Sequence, residues 1–410
     1  MELRVPLTLP DAPGWQQTLR NYARAAQHEW QTFRHGYPEF VLSAAGSLEA
    51  GEIPAFVFHS IEPVLFERQL RHLSENGYRG IGVDEYLAIT SGAVRGTGRE
   101  VLLTIDDARS SVWRYAVPLL RRHRQRAILF VMTGWTQDAD GLRPNLDSDG
   151  HDPASIERQD PGDHSLCTWP ELRAMRAAGV IDVQSHSHRH ARVFSDTRLL
   201  GVIGPGHSLH PYDCAASPYL AAAPEPWRVD VERMRGLPLF ETEALCAGRP
   251  HFELDDAIAE RIAAVFRELG QGVGRDRPQG LLAEVRRCVP ELLFRPVDQA
   301  EAYRRVLDEL GRARDLLVEH LGSPQAGRAF CVPFTEGGEA TLRAARELGI
   351  EAVFWGASSQ RRLNRVGDDP ALSSRIKNDF LMRLPGTGRR SLAQIYTDKV
   401  RRRLAGSTGY

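Results

Sequence analysis

Short apolar runs alternate with stretches of helical spacing along much of the chain. Ile53–His59 reads as a buried strand. Phe66, Leu70 and Leu73 then share a helical face that stops at Gly77. Val101–Ile105 is a second run of strand length, and Val112, Ala116, Leu119 and Leu120 make the next helical face. Ala127–Met132 is a third strand. Thr168 and Glu171 have the spacing of a capping box, whose helix ends at Gly179 before a fourth strand, Val180–Gln184. Much later Arg328–Val332, a helix through Leu342, Ala345 and Leu348, and Glu351–Trp355 resume the rhythm. Strand and helix in alternation predict an α/β fold with a parallel sheet, open or closed into a barrel.

Two stretches interrupt the rhythm. Thr136–Ser165 is rich in Asp, Gly and Pro and reads as a long loop. Leu199–Val297 carries Pro-rich clusters and two helical stretches and reads as an insertion or lid. The expected organisation is a helical extension at 1–50, a barrel in two parts at 51–198 and 298–410, the second with a C-terminal helix, and a mostly helical insertion at 199–297.

Charge changes the picture little. The 52 basic and 53 acidic residues nearly cancel, so no global field recruits nucleic acid or an anionic membrane. Lys occurs only at Lys377 and Lys399, which disfavours a phosphate-loop lysine. Cys167, Cys214, Cys246, Cys288 and Cys331 form no CxxC pair, against a disulfide framework or a cysteine-only zinc cage. No run is long and apolar enough to span a bilayer. The opening residues show no signal-peptide pattern, so a cytoplasmic location is expected.

Chemistry concentrates where two strands end. Thr104-Ile105-Asp106-Asp107 closes one, and Ser185-His186-Ser187-His188-Arg189-His190 closes another. In parallel α/β folds the C-terminal strand ends face the functional side. Adjacent carboxylates repel unless a cation or proton intervenes. His186 and His190, four apart, suit one metal. One carboxylate would complete a two-His, one-carboxylate set and leave the other aspartate as a base. The competing reading is a solvated turn beside a helix cap.

These residues resemble the polysaccharide deacetylases with the NodB-homology domain, carbohydrate esterase family four. TIDDA, Thr104–Ala108, is similar to the family's T-F-D-D-G, and HSHRH, His186–His190, to its H-[ST]-x-x-H. The flanks VPLLRRHRQRAILFVMTG and TWPELRAMRAAGVIDVQSHSHRH fit as well, and the resemblance covers about 53–190 and 302–385. It implies a distorted (β/α)7-type barrel and N-deacetylation of an amino sugar or a related amide. It further implies a divalent metal, zinc first, with cobalt, nickel, manganese or iron as alternatives. Carried over, Asp107, His186 and His190 hold the metal, Asp106 is the base, and the Phe334 N–H supports the oxyanion. Many relatives have an Arg orienting the base where this chain has Cys331, and Arg383 is the expected substitute. The late-strand acid histidine is also missing, and His59 is the candidate in its place. Cyclic-amide hydrolysis of the allantoinase-like kind, and a non-catalytic carbohydrate-binding or assembly role, are the alternatives. No nucleic-acid partner or membrane span is expected, and the oligomeric state is open.

Overall fold

The computed structural model describes residues 2–7, 27, 30–150, 156, 166–204, 217–220, 230–270, 278–357 and 364–404. The chain divides into two compact units. One comprises His28–His188, Leu310–Thr335 and Ala345–Tyr410; the other comprises Met1–Gln27, Arg189–Glu309 and Glu336–Ala344.

The first unit is a closed barrel of seven parallel strands. They are β1 (Ala55–Phe58), β2 (Glu100–Ile105), β3 (Ala127–Val131), β4 (Ile181–Ser185), β5 (Ala329–Cys331), β6 (Ala352–Gly356) and β7 (Ser373–Lys377). Around the ring the order is β1-β7-β6-β5-β4-β3-β2, and β2 pairs back to β1 with Phe58 opposite Ile105. The short strand Arg79–Gly80 adds to the outer side of β2. Every residue of β2 and β3 is buried. Parallel strands covered on both sides read as near-continuous apolar runs for this reason.

Successive strand residues point to opposite faces. Phe56, Leu103, Ile105, Leu129 and Val183 pack outward with the surrounding helices, including Phe66, Leu70 and Leu73 of Pro63–Glu75. Ala55, Leu102, Ile128, Phe130, Ala329, Cys331 and Phe354 form a separate cluster inside. The same alternation that puts Leu102 inside carries Thr104 and then Asp106 to the C-terminal end of the interior. The helix Trp169–Ala177 opens on the expected capping box of Thr168 and Glu171.

The second unit has its own antiparallel sheet, in the order Leu3–Pro6, Glu291–Val297, His251–Leu254, Arg192–Phe194, Thr242–Ala244. Phe194, Phe240, Ile262, Val285 and Phe294 form its core with Leu7. Helices Asp256–Gly270 and Pro278–Cys288 supply the helical part expected of the insertion. The sheet was not foreseen, and Leu3–Pro6 is a strand where a helical extension was expected. Its strands run only three to seven residues, too short for a periodicity to emerge. Among the described residues, no helix is long and apolar enough to cross a membrane.

Candidate metal and hydrolytic centre

The interior of the barrel turns polar at the strand C-termini. Asp106 is buried there, and the Arg375 guanidinium meets it in a two-pronged contact, Nη1 to Oδ1 at 2.6 Å and Nη2 to Oδ2 at 2.9 Å. Arg375 comes from β7. Its Nη1 also donates to Thr104 Oγ1 at 3.0 Å, its Nη2 lies 2.9 Å from Cys331 Sγ, and its guanidinium stacks 5.6 Å from the Phe130 ring centre. Burial works to raise the Asp106 pKa. The Arg375 charge overrides it, with His186 and His59 adding, and holds the carboxyl well below the ordinary range. Asp106 is therefore an aimed, ionised carboxylate at neutral pH.

His186 directly follows β4. Its Nδ1 is 2.9 Å from the Cys331 carbonyl oxygen. A carbonyl only accepts, so Nδ1 carries the proton and Nε2 presents a lone pair. That lone pair faces Asp107 Oδ1 at 3.5 Å and Asp106 Oδ2 at 4.0 Å. One ligand atom each from Asp107, His186 and His190 lies within 4.8 Å of the others. One ligand atom each from Asp106, His186 and Cys331 is equally close. Arg375 decides between the sets, because a guanidinium already lies against Asp106 and Cys331. Burial also pushes the Cys331 thiol well above its usual range, and its sulfur already meets Arg375 Nη2 at 2.9 Å. Two imidazoles and a carboxylate, one imidazole oriented by a backbone carbonyl, fit a divalent cation.

The backbone here is held in a costly conformation. Among the described residues, seven non-glycine positions have positive φ, and six are in these loops: Asp107 (73°), Ala108 (55°), Ser187 (69°), His190 (55°), Phe334 (55°) and Thr335 (61°). Left-handed non-glycine residues of this kind gather at functional sites. His188, between the two metal-spaced histidines, is buried with Nδ1 2.9 Å from Thr133 Oγ1. Trp135 and Trp355 are buried.

Of the remaining candidates, His59 directly follows β1 and lies within the field of Asp106, Asp107, Arg375 and Arg109. Burial lowers its pKa and outweighs the two carboxylates, which raise it. Phe334 is 41% exposed in the turn Pro333–Thr335 after β5. Arg383 is not brought to Asp106. Its Nε donates to Val41 O at 3.0 Å, Nη1 to Arg390 O at 2.7 Å and Nη2 to Ser43 O at 2.5 Å. Each of its three nitrogens donates to a backbone carbonyl, and Arg375 is the partner of the base candidate. The reading also missed Arg109, whose Nη1 donates to Ser60 Oγ at 2.7 Å and whose Nε is 3.8 Å from Asp107.

Residues 93–199, which hold both motifs, match the family model described as Polysaccharide deacetylase. This segment is a polysaccharide deacetylase domain. Domains of this family are hydrolases of carbon–nitrogen bonds other than peptide bonds. Three solved structures are similar to the chain. IcaB from Ammonifex degensii is 19% identical, with a TM-score of 0.45, covering 82% of this chain and 97% of its own. A de-N-acetylase from Aggregatibacter actinomycetemcomitans is 13% identical, TM-score 0.47, covering 84% and 99%. The BpsB deacetylase domain from Bordetella bronchiseptica is 17% identical, TM-score 0.45, covering 80% and 96%. No curated protein matches the chain in sequence.

Proposed function

We propose that the protein is a metal-dependent N-deacetylase acting on an N-acetylated amino sugar or a related glycan-like amide in the cytoplasm. The supporting observation is the meeting of Asp106, Asp107 and His186 at one end of the barrel, with His190 four residues on in the same motif, inside the segment that matches the family. Asp107, His186 and His190 would hold the cation, zinc first. Such an ion polarises the amide carbonyl and lowers the pKa of the attacking water. Asp106 accepts the water's proton. The Arg375 pairing that keeps Asp106 ionised also makes it a weak base, which suits a water already acidified. The Phe334 N–H donates to the developing oxyanion. His59 protonates the leaving amine from its protonated form, which the lowered pKa makes a stronger acid and a minor species at neutral pH.

The missing Arg at position 331 no longer favours a non-catalytic role, because β7 supplies a guanidinium to the same carboxylate. Cys331 is small enough to leave it room. The test is acetate release from N-acetylated amino sugars by the full chain, stripped of metal and then reloaded with zinc, cobalt, nickel, manganese or iron. Activity should return with metal, be lost in His186→Ala together with metal binding, and be lost in Asp106→Asn with metal retained. A metal-loaded protein inert across a broad acetamide panel refutes the proposed substrate class.

A further inference from the structure

The helix Leu392–Leu404 has two unlike faces. Ile395 is buried and Leu392 half-buried against the barrel's outer core, and on that side Lys399 and Arg402 both pair with Asp379. The other face carries Tyr396, Val400 and Leu404, which are 45%, 55% and 84% exposed. Spaced four apart, they form one row along the helix. Arg401 beside them is exposed, the first of three consecutive arginines. A second element extends the patch. Trp30 is 58% exposed, with the Arg34 guanidinium 5.3 Å from its ring centre. Ring contacts link the two elements, Phe33 to Phe380 at 5.9 Å and Phe380 to Tyr396 at 6.4 Å.

Between positions 389 and 403 the sequence has six cations, Arg389, Arg390, Lys399, Arg401, Arg402 and Arg403, and one acid, Asp398. Lys399 and Arg402 pair with Asp379, Arg390 pairs with Asp398, and Arg389 donates to backbone carbonyls, so Arg401 beside the row and Arg34 beside Trp30 carry the charge that this face presents. A soluble acidic polymer would use the cations and leave the apolar row in water. An apolar protein face would cover the row and strand the cations. An anionic bilayer surface serves both, because cations meet headgroups while aromatic and aliphatic side chains enter the acyl boundary. We propose that the exposed face of Leu392–Leu404, together with Trp30, docks the protein on anionic lipid.

The experiment is co-sedimentation of the full chain with phosphatidylcholine vesicles, alone and mixed with phosphatidylglycerol. It reads no turnover and so is independent of the proposed hydrolysis. The protein should bind the mixed vesicles, bind phosphatidylcholine weakly, and dissociate as salt is raised. Val400→Glu/Leu404→Glu and Arg401→Gln/Arg403→Gln should each weaken binding by about tenfold or more, with melting temperature unchanged because the substitutions target the exposed row and the basic run. No binding to the mixed vesicles overturns the proposal. So does binding by Val400→Glu/Leu404→Glu that equals the parent protein, which would mean that charge alone is read and an acidic polymer is the partner.

Discussion

Arg375 and Arg383 are equally buried, at 4% and 3% exposure, yet their surroundings give them opposite work. Arg375 faces a carboxylate inside the barrel, and Asp106 raises its pKa against the effect of burial. Arg383 faces carbonyls near the helix Glu39–Leu42. With no carboxylate to offset it, burial lowers its pKa and nearby Arg389 adds to the lowering. One cation fixes a reactive charge; the other ties down backbone. Residue type and approximate position do not distinguish them. The charge of what they touch does.

The sharpest way to test that contrast is Arg375→Met. It strands a buried carboxylate, so stability should fall by about 3–5 kcal/mol and turnover should collapse, read by urea denaturation and acetate release. Adding Asp106→Leu should recover much of that stability and none of the turnover. Arg383→Met should cost about 1–3 kcal/mol through carbonyls left without donors, with turnover per folded molecule unchanged. A parallel loss of turnover would return Arg383 to the active centre. Cys331→Ala should have a smaller effect, about 1 kcal/mol, because the weak thiol contacts only steady the Asp106–Arg375 pair.

The smallest effect concerns His72. Its Nε2 lies 3.3 Å from Leu384 O and its Nδ1 3.2 Å from Asn76 Nδ2, an arrangement that suits the neutral ring. Burial lowers its pKa. A histidine depressed in the folded state stabilises fully above its unfolded value, about 6.5, and loses that contribution as pH falls toward the folded value. His72→Gln should therefore flatten the decline in urea midpoint below about pH 6.5, and an unchanged slope would contradict this account.

Legibility in the sequence followed burial pattern. VLLTI and AILFVM announced β2 and β3 because parallel strands covered on both faces are apolar throughout. The Asp-Asp pair and the two histidines stood out because polar residues at such strand ends call for a reason. SSRIK, which carries Arg375, concealed a strand because its inward face is polar, matching the ionised end of the interior. The strand–helix alternation offered one signal, a further strand needed to close the ring after β6. Arg192–Phe194 and Thr242–Ala244 are three residues each, and their pairing depends on segments far away in the chain.

Ring closure also sets an order of events. Asp106 and Arg375 are 269 positions apart, and β1 gains its second neighbour only when β7 arrives. During synthesis the reactive carboxylate emerges first and waits for its counter-charge while the intervening 269 positions are made. Contacts over such separations form slowly. A nascent chain halted before β7 would thus lack both the seam of the barrel and the guanidinium that aims its chemistry.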